Sequence, residues 1–172
     1  MLSLPTIVST ALPGGLMTKA KPNSSGAVDG VDARLKRALQ QLHSEELSGV
    51  VRYLHYGHMI LGANRIPIVE WLRAQATESM QHAWQIGEKM TALGLHPDMR
   101  VMPVPETGKH NVLDVLREAL DFERKALNGY HALRALIVTV RPDDVALEDW
   151  VRGFISVETA HIEEAEKMLR TM

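Results

Sequence analysis

Cysteine is absent from the 172-residue chain. That excludes disulfides, thiolate zinc sites, cysteine-ligated iron–sulfur clusters and cysteine nucleophiles together. Any metal must be held by His, Asp, Glu or Tyr. Apolar runs of about 18 residues are missing too, so no segment is expected to span a membrane. The net charge is only -2, and no basic field argues for a nucleic-acid partner. Residues 1–16 are mildly apolar but lack a basic start, which argues against a secretory signal and for a cytoplasmic location. The stretch from Thr18 to Asp32 is rich in Lys, Asn, Ser and Gly. Residues 1–30 therefore read as a flexible N-terminal tail, and residues 31–172 as the folded domain.

What is present is enough for one core. The hydrophobic fraction is 45%, and histidine occurs 8 times. Four segments carry helical periodicity and none reads as a strand. The first spans Val31 to Leu61 and stops at Gly62-Ala63-Asn64-Arg65. The second starts near Pro67, a suitable first-turn residue, and ends at Gly94. The third runs from Asn111, a candidate N-cap, to Val140. The fourth follows Arg141-Pro142-Asp143-Asp144, where an Asp can cap, and continues to the end. Two connections are short, so each flanking pair should form an antiparallel hairpin. The middle connection, about 16 residues, can travel the length of a bundle. Two hairpins and one long crossover define an all-α, ferritin-like four-helix bundle.

Glutamates lie where core residues belong. Glu158 and His161 share the stripe of Val151, Phe154, Ile155, Ile162 and Ala165. Glu123 lies among Leu116, Ala119, Leu120, Ala126, Leu127 and Tyr130. Glu46 lies among Leu39, Leu42, Val50, Tyr53 and Leu54. A buried, unpaired carboxylate is expensive. Three helices bearing that cost at similar heights imply a shared partner. Carboxylates with imidazoles suit iron or manganese at a two-metal site. An internal repeat supports this. Tyr53 follows Glu46 by seven residues, and Tyr130 follows Glu123 by seven. His82 and His161 follow those glutamates at nearly equal intervals. Each half thus offers Glu and Tyr on one helix, Glu and His on the next. The tyrosines are hydrogen-bond donors to the site or redox-active groups.

The second helix breaks the repeat. Its apolar stripe is Val69, Leu72, Ala76, Ser79, Ala83, Ile86, Met90 and Leu93. Ser79 sits at the centre. His82 is about 60° off it, and Glu78 about 100° off on the same side. Three arrangements are open. Glu78 reaches inward from the edge; a π-bulge rotates it towards the centre; or Ser79 replaces a lost ligand and one ion is held poorly.

These motifs resemble those of the bacterioferritins and their ferritin-like relatives. The resemblance covers about residues 33–171. It includes Glu45-Glu46-Leu47 with Tyr53, Met80-Gln81-His82-Ala83, Glu123, and Glu158-Thr159-Ala160-His161-Ile162. It implies that Glu46, His82, Glu123, Glu158 and His161 ligate two metal ions. Where those relatives carry the helix-two glutamate this chain has Ser79, with Glu78 one residue out of register. The same match places Met80 at the position of a haem-ligating methionine on a two-fold dimer interface. The match ends with the fourth helix, without the short fifth helix that helps close a storage shell in those relatives, and the resemblance implies a homodimer or a higher homo-oligomer.

The implied function is oxidation of Fe(II) by dioxygen or peroxide, for iron storage or detoxification. Manganese or zinc are alternative occupants. Competing readings are an oxygenase or peroxidase acting on another substrate, and a non-catalytic helical module with a degenerate metal site, which Ser79 favours.

Overall fold

The computed structural model describes residues 31–170; the tail expected over residues 1–30 lies outside them. Among the described residues four helices make up the fold: α1 (Ala33–Met59), α2 (Arg65–Ala92), α3 (Val112–Val140) and α4 (Val145–Leu169). Among the described residues there is no β-strand, and no helix is long and apolar enough to cross a membrane.

Local chemistry sets most boundaries. Asp32 Oδ1 accepts the Arg34 N–H at 2.7 Å, so α1 begins just inside the expected start. Asn111 Oδ1 accepts from Leu113 N at 2.9 Å, and Asp144 Oδ1 from Leu147 N at 3.1 Å. Pro67 falls in the first turn of α2, where its missing N–H costs nothing. That helix ends because Gly94 adopts a φ of 74°. Its turn lets Leu95 N–H reach back to Met90 O at 2.8 Å, a closure that a side-chain-bearing residue at Gly94 would strain.

The helices pack α1 on α2, α3 on α4 and α1 on α3. The segment between α2 and α3 runs along the outside of α1. Gln40 Nε2 donates to Asp98 Oδ1 at 2.7 Å, and Asp98 N–H returns to Gln40 Oε1 at 3.0 Å. Further along, His55 meets Glu106 at 2.8 Å. His110 Nδ1 lies 2.9 Å from Met59 O, at the end of α1. The crossover therefore spans most of α1, as two hairpins joined across a bundle require.

The core is split. One apolar cluster holds Leu35, Leu39, Leu42, Ile86, Met90, Leu133, Ile137, Leu147, Val151 and Phe154. The other holds Tyr53, Tyr56, Ile60, Leu72, Val115, Ala119 and Phe122. A layer of Glu46, His82, Glu123 and Glu158 lies buried between them. Each fully buried large apolar side chain contributes about 1.5–3 kcal/mol, and the two clusters offset the cost of the charged layer. Contributions from α4 are lopsided. It gives Leu147, Val151 and Phe154 to the first cluster, and beyond Glu158 it buries only Ala165. Leu54, expected beside Glu46, is exposed instead. Eight residues on from Glu46, it has turned about 80° away.

Candidate metal centre

Two groups of side chains converge in the charged layer. Glu46 of α1, His82 of α2 and Glu158 of α4 form one. Glu123 of α3 with Glu158 and His161 of α4 form the other. Within each group the ligand atoms lie within 4.8 Å of one another. Glu158 belongs to both. Its Oε1 is 3.0 Å from His82 Nδ1, and its Oε2 is 3.6 Å from His161 Nδ1. Glu46 Oε1 stands 3.4 Å from His82 Nδ1, and Glu123 Oε2 3.9 Å from His161 Nδ1. We call these the inner and outer positions. The outer one lies towards the second apolar cluster, where α4 buries little.

The donors fit a divalent cation. Glu158 Oε2 is buried and has no hydrogen-bond partner. An orphaned carboxylate oxygen between two imidazoles is costly unless a cation meets it. Electrostatics point the same way. Burial raises the Glu46 carboxyl against the pull of His82. Burial also raises Glu123, with His161 opposing and Glu158 adding to the rise. For Glu158 burial works upwards, but the His161 and His82 imidazoles beside it carry it well below its ordinary value. Burial pulls down on the imidazoles and loses: Glu158 and Glu46 raise His82 to about 9, and Glu123 and Glu158 raise His161 to about 10. Protons on the imidazoles offset the carboxylates, and a metal ion would take their place. Oxygen and imidazole donors of this kind suit iron, manganese or zinc.

The tyrosines cross between halves. Tyr53 of α1 donates to Glu123 of α3, and Tyr130 of α3 donates to Glu46 of α1. Each fixes the glutamate of the other helix. Around the inner position, Phe154 stacks on Tyr130 with ring centres 4.8 Å apart and meets His82 edge-on, also at 4.8 Å. Trp150 backs Phe154 at 4.9 Å. Beside Tyr53, Phe122 and Trp71 pack edge-on at 5.9 and 6.4 Å.

On α2 the three open arrangements separate. The helix is continuous α from Arg65 to Ala92, without a π-turn. Glu78 Oε2 lies 2.9 Å from His161 Nε2, so the side chain leans inward from the edge. Ser79 is buried but joins neither ligand group. It faces Gly49 of α1, where an added Cβ would sit 2.7 Å from Ser79 Oγ and 3.0 Å from the Phe122 ring. The spacing pattern gave no role to Gly49. A glycine on the buried face of a helix was the available signal. Met80 points away from the centre and is 54% exposed, beside Trp84 at 73%. His55, nine residues and about 180° round α1 from Glu46, also faces away, towards the crossover.

A buried layer of carboxylates and imidazoles, held by two hairpins and a long crossover, is the arrangement in which four-helix bundles of the ferritin-like class build metal sites. Residues 36–172 match the ferritin-like domain, and the chain belongs to that family. No curated protein sequence matches it. Many solved structures share the fold. One is a ferritin-like diiron-carboxylate protein from Bacillus anthracis str. Ames, with a TM-score of 0.73 at 21% identity, covering 80% of this chain and 96% of that one. Another is Rhodobacter capsulatus bacterioferritin, described with a metal-free dinuclear site and a haem iron. Its TM-score is 0.69 at 21% identity, with 81% of this chain and 85% of that chain covered.

Proposed function

We propose that this chain binds two iron ions and oxidises Fe(II) with dioxygen or peroxide, in iron storage or detoxification. The single observation that carries this reading is the pair of ligand groups joined through Glu158. Glu46 and His82 would hold the inner ion, Glu123 and His161 the outer one, and Glu158 would face both. Glu78 would add a carboxylate at the outer position through the edge it shares with His161. Fe(II) is the substrate, and the protein's work is placement. Tyr53 and Tyr130 hold Glu123 and Glu46 by hydrogen bonds, so the carboxylates keep their direction as ions come and go. Phe154 and Tyr130 wall the inner position with stacked rings.

The test is anaerobic titration with Fe(II) followed by air. About two irons per chain should bind, and oxidation should outpace the buffer blank. Binding without faster oxidation removes the redox role. No binding at all leaves the helical module with a degenerate site, the reading that the Ser79–Gly49 contact favours.

Met80 supports a haem reading as well. It stands exposed on the outer face of α2, next to Trp84. The Rhodobacter capsulatus relative is described with a haem iron. In a homodimer through this face, Met80 from each copy would ligate one haem. Haem titration of the wild type and of Met80→Ala tests this: a Soret shift that Met80→Ala abolishes supports it, and an identical shift refutes it.

A further inference from the structure

We propose that Glu78 and His161 form the entrance through which a divalent cation reaches the centre, at the seam between α2 and α4. The inference rests on the two-ion reading above and adds the route.

Depth is the first argument. The side chains of Glu46, His82, Glu123 and Glu158 are no more than 6% exposed. His161 is 12% exposed and Glu78 33%. Among the described residues, these two are the most exposed of the candidate ligands. Packing is the second. The bundle closes through α1 with α2, α3 with α4, and α1 with α3. At the inner end α4 seals the bundle with Leu147, Val151 and Phe154. Past Glu158 it buries only Ala165, while His161 and Ile162 stay half-buried. The α1 side is closely packed. Ser79, Gly49 and Phe122 are in contact on the α1 side. The crossover lies along α1, with Met102 N–H bonded to Ser44 O at 3.3 Å.

Donor continuity is the third argument. His161 Nε2 meets Glu78 at 2.9 Å, and its Nδ1 faces Glu158 Oε2 at 3.6 Å. That oxygen is the buried, unpartnered one. Glu158 Oε1 then faces His82 at 3.0 Å. A cation can pass from Glu78 to the outer position and on to the inner one with a carboxylate at every step. It never crosses the apolar interior bare, which would cost far more. The register slip on α2 thus has a consequence of its own. A carboxylate at Ser79 would lie inside, whereas Glu78 lies at the seam.

Co(II) is the probe, because its absorption reports binding without any oxidation. Uptake by the full chain is followed by stopped flow and counted at equilibrium. Glu78→Arg places a cation at the entrance and should slow filling of the inner position by about tenfold or more, while the inner ion is still bound at equilibrium. Glu78→Gln should slow it by a smaller factor. Glu88→Arg, exposed on the same helix away from the seam, should fill at the wild-type rate. If Glu78→Arg binds its inner ion at the wild-type rate, the entrance lies elsewhere. Equal slowing by Glu88→Arg also overturns the proposal, since general charge would then explain it. If circular dichroism shows Glu78→Arg unfolded, Glu78→Gln decides, and a wild-type rate refutes the route. A wild type that takes up no Co(II) sinks the two-ion reading and the entrance with it.

Discussion

The inner and outer halves of the centre carry the same ligand types on the same kind of hairpin, yet they are built differently around those ligands. At the inner half Tyr130, Phe154 and Trp150 form a continuous aromatic wall against His82. At the outer half Tyr53, Phe122 and Trp71 pack from α1, α3 and α2, but past Glu158 α4 buries only Ala165. The repeat of Glu, Tyr and His sets where donor atoms stand. The apolar residues around them set which half is reached from solvent. Near-symmetry of the candidate ligands therefore does not imply equivalence of the two positions.

The sharpest way to break this comparison is to remove what the halves share. Glu158 is the one residue of both ligand groups. Glu158→Gln should weaken both ions by about 100-fold or more, because each imidazole loses its nearest buried carboxylate oxygen. Glu46→Gln should weaken the inner ion alone. Calorimetric titration with Zn(II) counts the ions in each variant. Loss of a single ion in Glu158→Gln would mean that the two positions are not joined through this residue.

The packing contrast predicts a second pair of effects. Phe154→Ala empties the stack against Tyr130 and His82 and should cost about 3–5 kcal/mol of stability. Gly49→Ala forces a methyl group to within 2.7 Å of Ser79 Oγ. It should cost about 1–3 kcal/mol, with part of the strain relieved by movement at the looser outer half. Urea unfolding measures both. A larger loss in Gly49→Ala than in Phe154→Ala would contradict the view that the inner half is the better sealed.

Much of this architecture is legible in the sequence, and the exceptions have physical causes. Apolar periodicity, the caps at Asn111 and Asp144 and the long middle connection define the bundle. Glu46, Glu123 and Glu158 are readable because carboxylates at core positions of three helices need a common partner. The seven-residue spacing of Glu46 to Tyr53 and of Glu123 to Tyr130 puts each pair on one face. It does not reveal that each tyrosine bonds the glutamate of the other helix, since that depends on the height of α3 against α1. Glu78 stays ambiguous for the same reason: its angle on α2 is known, but its reach depends on where His161 of α4 stands. Leu54 shows the slack in the method. A stripe read by spacing alone is wider than the face that packing buries.

The smallest expected effect is on pH dependence, and it separates the metal-free from the metal-bound centre. Without a cation, the neighbouring carboxylates hold the His82 and His161 imidazoles up, to about 9 and about 10, against an ordinary value of 6.5. A raised folded-state pKa means that the folded protein holds its protons longer than the unfolded chain does. The stability this provides is complete below about pH 6.5 and is lost as pH rises through 9 to 10. Burial raises Glu46 and Glu123 as well, and those shifts act in the same direction. Glu158 is lowered, so its contribution is lost only in acid. The melting temperature of the metal-free protein should therefore fall between pH 6.5 and 10, by ~5 °C or more. With Zn(II) bound the fall should flatten, because the cation replaces the protons that carry the dependence. Binding must then release protons near neutral pH, and the heat of titration must change with the ionisation enthalpy of the buffer. A buffer-independent heat would show that the imidazoles hold no protons for the metal to displace. The electrostatic likeness of the two halves would fail with it.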